Sequence, residues 1–261
     1  MNYLSLVTSK ILAHFSNYRN AKRTKKDIKY IVVHYTANDG DSDEGNAQYF
    51  QSPNRNASAH FFVDDESITQ TVELEDIAWH CGGSVYNDVK TTGGAKYHNI
   101  CTNTNSIGIE MCDTVRDGKY NLSKKTRNNT IKLVRALMKD FDIDIDHVIR
   151  HFDVTGKYCP RYFCPPYGSN DEWNKFKLEI INNTETSEKK EETVVENKPT
   201  KSYKVRVTVD ALNYRKGPGT NYKINGVIYD RGVYTIVDEK NGWGKLKSGA
   251  GWISLYYTKK L

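Results

Sequence analysis

KYIVVH, at residues 29–34, is a run of β-branched and aromatic residues that ends on a histidine and leads directly into the polar loop YTANDGDSD at 35–43. The run is short enough to be a buried strand, and a histidine at its end is well placed for a site built on a sheet. Residues 58–63 (SAHFFV) and 106–111 (SIGIEM) carry further strand signals with period-two alternation. In SIGIEM, Ile107 and Ile109 share one face while Gly108 and Glu110 share the other. One face therefore packs on a core, and the other presents a carboxylate beside the room a glycine leaves. Farther along, Ile131, Val134, Leu137, Met138 and Phe141 recur at three- and four-residue steps, which predicts an amphipathic helix over 124–141 with Ser123 at its cap. The expected class is α/β, a mixed central sheet flanked by helices.

Composition bounds the rest. With 261 residues, 38% of them apolar, the chain suffices for one good core and a smaller second domain. No apolar run approaches the roughly 20 residues that span a bilayer, so membrane insertion is not expected. The leading stretch MNYLSLVTSKILAHF has no basic start and is broken by Ser9, Lys10 and His14. It reads poorly as a secretory signal, and the expected location is the cytoplasm of the producing cell until release. Five cysteines without a CxxC pair argue against a disulfide framework or a zinc knuckle. Cys81, Cys101, Cys112 and Cys164 read as small buried packing residues.

Residues 182–202 (NNTETSEKKEETVVENKPTKS) are charged and nearly devoid of large apolar side chains, the composition of a solvated linker. The predicted organisation is a larger domain at 1–181, a linker at 182–202 and a small domain at 203–261. The small domain holds eleven Lys/Arg against four Asp/Glu, a net of +7 in a chain of net charge +6. The larger part is thus close to neutral, which speaks against a nucleic-acid partner, since phosphate binding needs clustered positive charge.

RHFDVTGKYCP, at 150–160, sets His151, Lys157 and Cys159 on one short irregular stretch. Catalytic zinc is held by three protein ligands, imidazoles and thiolates among them, with a fourth position left for water. His151 and Cys159 supply two ligands, and His34 is the best candidate for the third. Bound water of lowered pKa then needs a base and an oxyanion partner. Glu110 fits the first and Lys157 the second.

Five stretches, IVVHYTA (31–37), SAHFFVDD (58–65), IAWHCGG (77–83), NSIGIEM (105–111) and RHFDVTGKYCP (150–160), occur in the order found in zinc-dependent type-2 N-acetylmuramoyl-L-alanine amidases. The chain resembles that family, which includes phage endolysins and relatives of peptidoglycan recognition proteins, over most of residues 28–180. The resemblance implies one Zn2+ on His34, His151 and Cys159, Glu110 as general base, and Lys157 as the lysine of the Gly-Lys-x-Cys-Pro turn. It places His60 and His80 in the substrate groove. Some family members carry a tyrosine before the SAHFF histidine, where this chain has Ala59. The implied reaction is hydrolysis of the bond between N-acetylmuramic acid and L-alanine in peptidoglycan, by an endolysin or autolysin. Two alternatives stand beside it: a non-catalytic peptidoglycan-binding protein, whose kind generally lacks the cysteine ligand, and a zinc peptidase cutting within the stem peptide.

Residues 203–261 alternate short aromatic and β-branched segments with Gly-Pro-Gly and Asn-Gly turns, which predicts a compact barrel. LNYRKGPGTNY, NGWGKL and GWISLYY resemble the bacterial SH3-like cell-wall-binding domain. The tyrosines and tryptophans read first of all as core and surface-packing residues; by that resemblance Tyr214, Trp243, Trp252 and Tyr256 are the candidates to line a peptide groove. The positive charge favours anionic polymers of Gram-positive walls.

Overall fold

A computed structural model describes residues 2–181, 202–219, 222–240 and 242–261. The predicted linker, apart from Ser202, lies outside the described residues. The chain divides into two compact units, Met1–Trp173 and Asn174–Leu261. No helix among the described residues is long and apolar enough to cross a membrane.

The first unit is built on β1 (Ser9–Lys10), β2 (Tyr30–Tyr35), α1 (Asp43–Gln51), β3 (Phe61–Val63), β4 (Ile68–Gln70), β5 (Ser106–Met111), α2 (Lys124–Phe141), β6 (Val148–Arg150) and α3 (His151–Thr155), followed by α4 (Asn170–Ile181), within which the division falls. These six strands form one sheet in the order β1-β4-β3-β5-β2-β6, beside two short two-stranded ladders, Tyr18–Arg19 with Ile77–Ala78 and Val115–Arg116 with Lys119–Tyr120. Only β3 and β4 pair antiparallel; every other neighbouring pair is parallel, so the sheet is mixed. The apolar run at 30–33 sits next to the centre because both its neighbours, β5 and β6, cover its backbone edges.

Register decides which residues share a face. Tyr30, Val32 and His34 pair with Ser106, Gly108 and Glu110, while Ile31, Val33 and Tyr35 pair with Ile107, Ile109 and Met111. Side chains of paired residues in a parallel ladder point the same way. Ile31, Val33, Ile107, Ile109 and Met111 are sealed from solvent, as are Ile131, Leu133, Val134 and Leu137 of α2, which packs on this sheet. Each such isoleucine or valine contributes roughly 1.5–3 kcal/mol by leaving water. Helix α2 begins where the sequence predicts, with the Ser123 hydroxyl accepting from Thr126 N–H and Asp65 accepting from the same amide at 3.0 Å. The opposite face of the sheet is apolar only in part: Tyr30, Val32 and Ile149 cluster with Cys81, Cys101 and Val154. Beyond that cluster it turns polar, and there the functional side chains gather.

In the second unit, seven strands pair antiparallel throughout: β7 (Tyr203–Val207), β8 (Leu212–Arg215), β9 (Ile224–Ile228), β10 (Val233–Lys240), β11 (Trp243–Leu246), β12 (Trp252–Ser254) and β13 (Thr258–Lys260), in the order β9-β8-β12-β11-β10-β7-β13. Register shifts at Tyr214/Arg215 and Ile236/Asp238 bend it. Val205, Val207, Leu212, Ile228, Ile236, Leu246 and Ile253 then meet in one core, the all-β small domain expected from the turn spacing.

Candidate metal centre

Three neighbouring parallel strands end at one height. Val33 of β2 pairs with Arg150 of β6, and His34 of β2 with Glu110 of β5, so His34, His151 and Glu110 lie side by side at the strands' carboxyl ends. Open α/β sheets commonly bind ligands at that edge. The chain then returns Cys159 to the same place. Asp153 accepts from Arg150 N–H at 2.8 Å and from its Nε at 2.9 Å, fixing the turn from β6 into α3. Gly156 stops the helix at φ 84°, where a β-carbon would collide with Val89. Phe152 N–H donates to the Cys159 carbonyl at 3.0 Å, folding the cysteine back over the helix start. The eight-residue separation of His151 and Cys159 is thus one short helix plus a glycine stop.

His34, His151 and Cys159 are all buried, and one donor atom from each lies within 4.8 Å of the others. Cys159 Sγ is 3.7 Å from His34 Nδ1, and the two imidazole rings meet edge to face with centroids 4.8 Å apart. His151 Nδ1 is buried without a hydrogen-bond partner, as a lone pair kept for something absent from the protein itself would be. Burial, together with the neighbouring His151, holds His34 well below the ordinary histidine value. Burial and then Lys157 lower His151 to about 3. Both rings are therefore neutral, the form that ligates metal. Burial pushes the Cys159 thiol well up, and the Glu110 carboxylate adds to it. A cation among these groups offsets both effects and favours the thiolate. Two neutral imidazoles and a thiolate form a donor set that suits zinc.

Glu110 Oε1 stands 3.9 Å from His34 Nδ1, and its Oε2 is buried with no hydrogen-bond partner. Burial raises its carboxyl to about 7, against the pull of Lys157 and with a push from Asp41. A carboxyl balanced near neutrality can both take and return a proton. The exposed Lys157 lines two adjoining openings. One, of about 660 Å³, is bounded by His34, His80, Glu110, His151 and Cys159 and runs on to Asp41, Tyr49 and Trp79. The other, of about 490 Å³, runs from His151 and Lys157 along Gly82–Asn87. The two openings share His151 and Lys157, so both border the donor set.

Of the residues singled out from sequence, His34, His80, Glu110, His151, Lys157 and Cys159 converge on the larger opening. His60 lies beneath it, with none of its surface exposed. Its Nδ1 accepts from Gly108 N–H at 3.0 Å, and the Arg23 guanidinium lies 2.6 Å from its Nε2. In the second unit Trp243 is buried at 8% exposure, while Tyr214, Trp252 and Tyr256 are half-buried. Sequence reasoning did not single out Ser106 and Asn103. Ser106 Oγ is 3.1 Å from His80 Nε2, and Asn103 Oδ1 accepts from the amides of His80 and Cys81 at 3.0 and 2.9 Å. For Ser106 the signal was present, since it alternates with Gly108 and Glu110 on one strand face; for Asn103 there was none.

Residues 24–162, more than half of the chain, match the family model of N-acetylmuramoyl-L-alanine amidases. N-acetylmuramoyl-L-alanine amidase CwlH of Bacillus subtilis (strain 168) is 35% identical over 162 residues, which are 61% of this chain and 55% of the relative. XlyB of the same organism is 30% identical over 178 residues, covering 68% and 50%. The chain therefore spans about half the length of these relatives. Among solved structures, a mutant endolysin from Bacillus subtilis superposes with a TM-score of 0.50 at 31% identity, covering 66% of this chain and 97% of that one. The solution structure of the PlyG catalytic domain gives 0.53 at 27% identity, covering 70% and 98%. The matched stretch contains every residue of the His-His-Cys group and the carboxylate beside it, and on this ground the chain belongs to the N-acetylmuramoyl-L-alanine amidase family.

Proposed function

We propose that this chain hydrolyses the amide bond between the lactyl group of N-acetylmuramic acid and the L-alanine of the stem peptide, degrading peptidoglycan as an endolysin or autolysin. The observation that carries the reading is a buried His34–His151–Cys159 donor set with the Glu110 carboxylate beside it, lining a cavity of about 660 Å³. His34, His151 and Cys159 would hold one zinc ion per catalytic domain, which would supply Lewis-acid chemistry at that place. Glu110 takes the proton of the attacking water and delivers it to the departing amine of L-alanine. Lys157, projecting at the junction of the two openings, places its ammonium beside the carbonyl oxygen and stabilises the charge that develops there. His80 contributes a wall of the groove. His60, sealed beneath it, supports the strand that carries Glu110 rather than touching substrate.

Residues 1–181 act as the catalytic domain and 182–202 as the tether. Residues 203–261 are an SH3-like module for Gram-positive walls, with Tyr214, Trp252 and Tyr256 offering partly open aromatic surface and the buried Trp243 supporting it. The tether raises the local concentration of the catalytic domain on an insoluble polymer. Digestion of purified Gram-positive walls tests the reaction: new L-alanine amino termini without new reducing sugar ends are expected. Reducing ends identify a glycosidase, and amino termini from deeper in the stem identify a peptidase; either result overturns the proposal.

A further inference from the structure

A chain of polar contacts runs from the donor set into the sheet. His34 Nε2 is 3.0 Å from His80 Nδ1, His80 Nε2 is 3.1 Å from Ser106 Oγ, and Ser106 Oγ donates to the Thr102 carbonyl at 2.6 Å. The last link sets the direction of the others. A carbonyl only accepts, so it takes the single proton of the Ser106 hydroxyl. Ser106 then has only lone pairs to offer His80, and His80 must carry its proton on Nε2. With a single proton on His80, its Nδ1 is bare and bonds His34 only if His34 is protonated on Nε2. The consequence is that His34 Nδ1 is a free lone pair, and this is the nitrogen that faces Cys159 Sγ at 3.7 Å. With the other tautomer of His34, two lone pairs would oppose each other across 3.0 Å.

The surroundings hold His80 to this position. Asn103 Oδ1 accepts from the amides of His80 and Cys81, fixing the backbone. Gly108 leaves space for the ring: a β-carbon there would lie 2.5 Å from His80 Cγ. Ser106, Gly108 and Glu110 alternate along one face of β5, so a single strand orients the relay, makes room for it and presents the carboxylate.

We propose that His80 is a positioning residue for the metal centre: with Ser106 and the Thr102 carbonyl, it locks His34 in the Nε2–H tautomer that aims Nδ1 at the metal. Histidine ligands usually donate their second ring proton to a carboxylate, a carbonyl or water. Here a second imidazole and a hydroxyl carry that role to a carbonyl three links away. The inference rests on the metal reading given above but concerns residues outside the donor set.

Zinc affinity of the full chain, measured by competition with a chromophoric chelator, is the first test. His80→Phe keeps an aromatic ring and removes the acceptor, and is expected to weaken zinc binding by about 10- to 100-fold. His80→Asn places a carbonyl oxygen near the former Nδ1 and is expected to recover most of the loss. A loss of less than about tenfold in His80→Phe overturns the relay. The second test needs no metal: 15N-resolved NMR of the metal-free protein should find the His34 proton on Nε2, and in Ser106→Ala that preference should weaken. A His34 proton on Nδ1 in the unsubstituted protein overturns the proposal. If the unsubstituted protein binds no zinc, the metal reading fails instead, and the tautomer measurement still decides the relay.

Discussion

The two units solve opposite packing problems. In the first, Arg23, His34, Asp43, His60, Arg150 and His151 are buried together with a sheet of isoleucines and valines. Each such group is costly to desolvate unless it finds a partner. Arg23 donates to the Leu74 and Ser106 carbonyls at 2.7 and 2.8 Å, and Arg150 pairs with Asp153 at 2.6 Å. His151 Nδ1 and Glu110 Oε2, at the donor set, are among the buried polar atoms that have no hydrogen-bond partner. Among the described residues of 203–261, Ser254 is the one buried polar side chain, and the core is aliphatic. The basic residues of that stretch that have a described exposure lie outside the core. The contrast teaches that the first unit buries polar side chains around its donor set, whereas the described residues of 203–261 keep their charges on the surface, where salt screens them.

The sharpest way to break this comparison is to remove one donor. Cys159→Ala should lose the zinc and lower wall hydrolysis by about 10³-fold or more, because the Lewis acid supplies several kcal/mol of transition-state stabilisation. Metal analysis alongside turnover checks it, and a variant with one equivalent of zinc and full activity would falsify the assignment of Cys159. Next in size is the carboxylate. Glu110→Gln preserves shape but cannot accept a proton, so turnover should fall by about 10²- to 10⁴-fold while zinc content stays the same. Near-normal turnover in the zinc-loaded variant moves the base to another residue. The smallest effect concerns the second unit. Residues 1–181 alone should cleave soluble muropeptides as the full chain does, yet lyse intact walls roughly tenfold more slowly at low enzyme concentration. That deficit should shrink as enzyme is added, and added salt should reduce the advantage of the full chain. Equal slowing on soluble fragments would show that residues 203–261 serve the catalytic unit itself.

Local signals carried far in the regular elements. The alternation of SIGIEM yields β5 at Ser106–Met111, and the helical spacing after Ser123 yields α2 at Lys124–Phe141, both with the predicted bounds. The expected strand at 58–63 forms its ladder only over Phe61–Val63, because Ser58 N–H leaves the sheet to bond the Trp79 carbonyl at 3.0 Å. His60 and His80 look alike in sequence, each beside an aromatic residue in a family-like stretch. Packing separates them, one sealed below β5 and the other at the wall of the groove.

The sequence by itself determined the residue types: a histidine at the end of an apolar run, a carboxylate alternating with glycine, and a histidine, lysine and cysteine around a helix stop. These are local properties, set by period, turn chemistry and side-chain identity. Only the tertiary structure decided which nitrogen of His34 faces Cys159, that Ser106 and Asn103 hold His80, and that His60 is sealed from solvent. Each of those depends on hydrogen-bond direction and on space between segments distant in the chain, such as β5 and the loop after Trp79. A register of strands fixes such relations in three dimensions, and no single stretch of residues contains them.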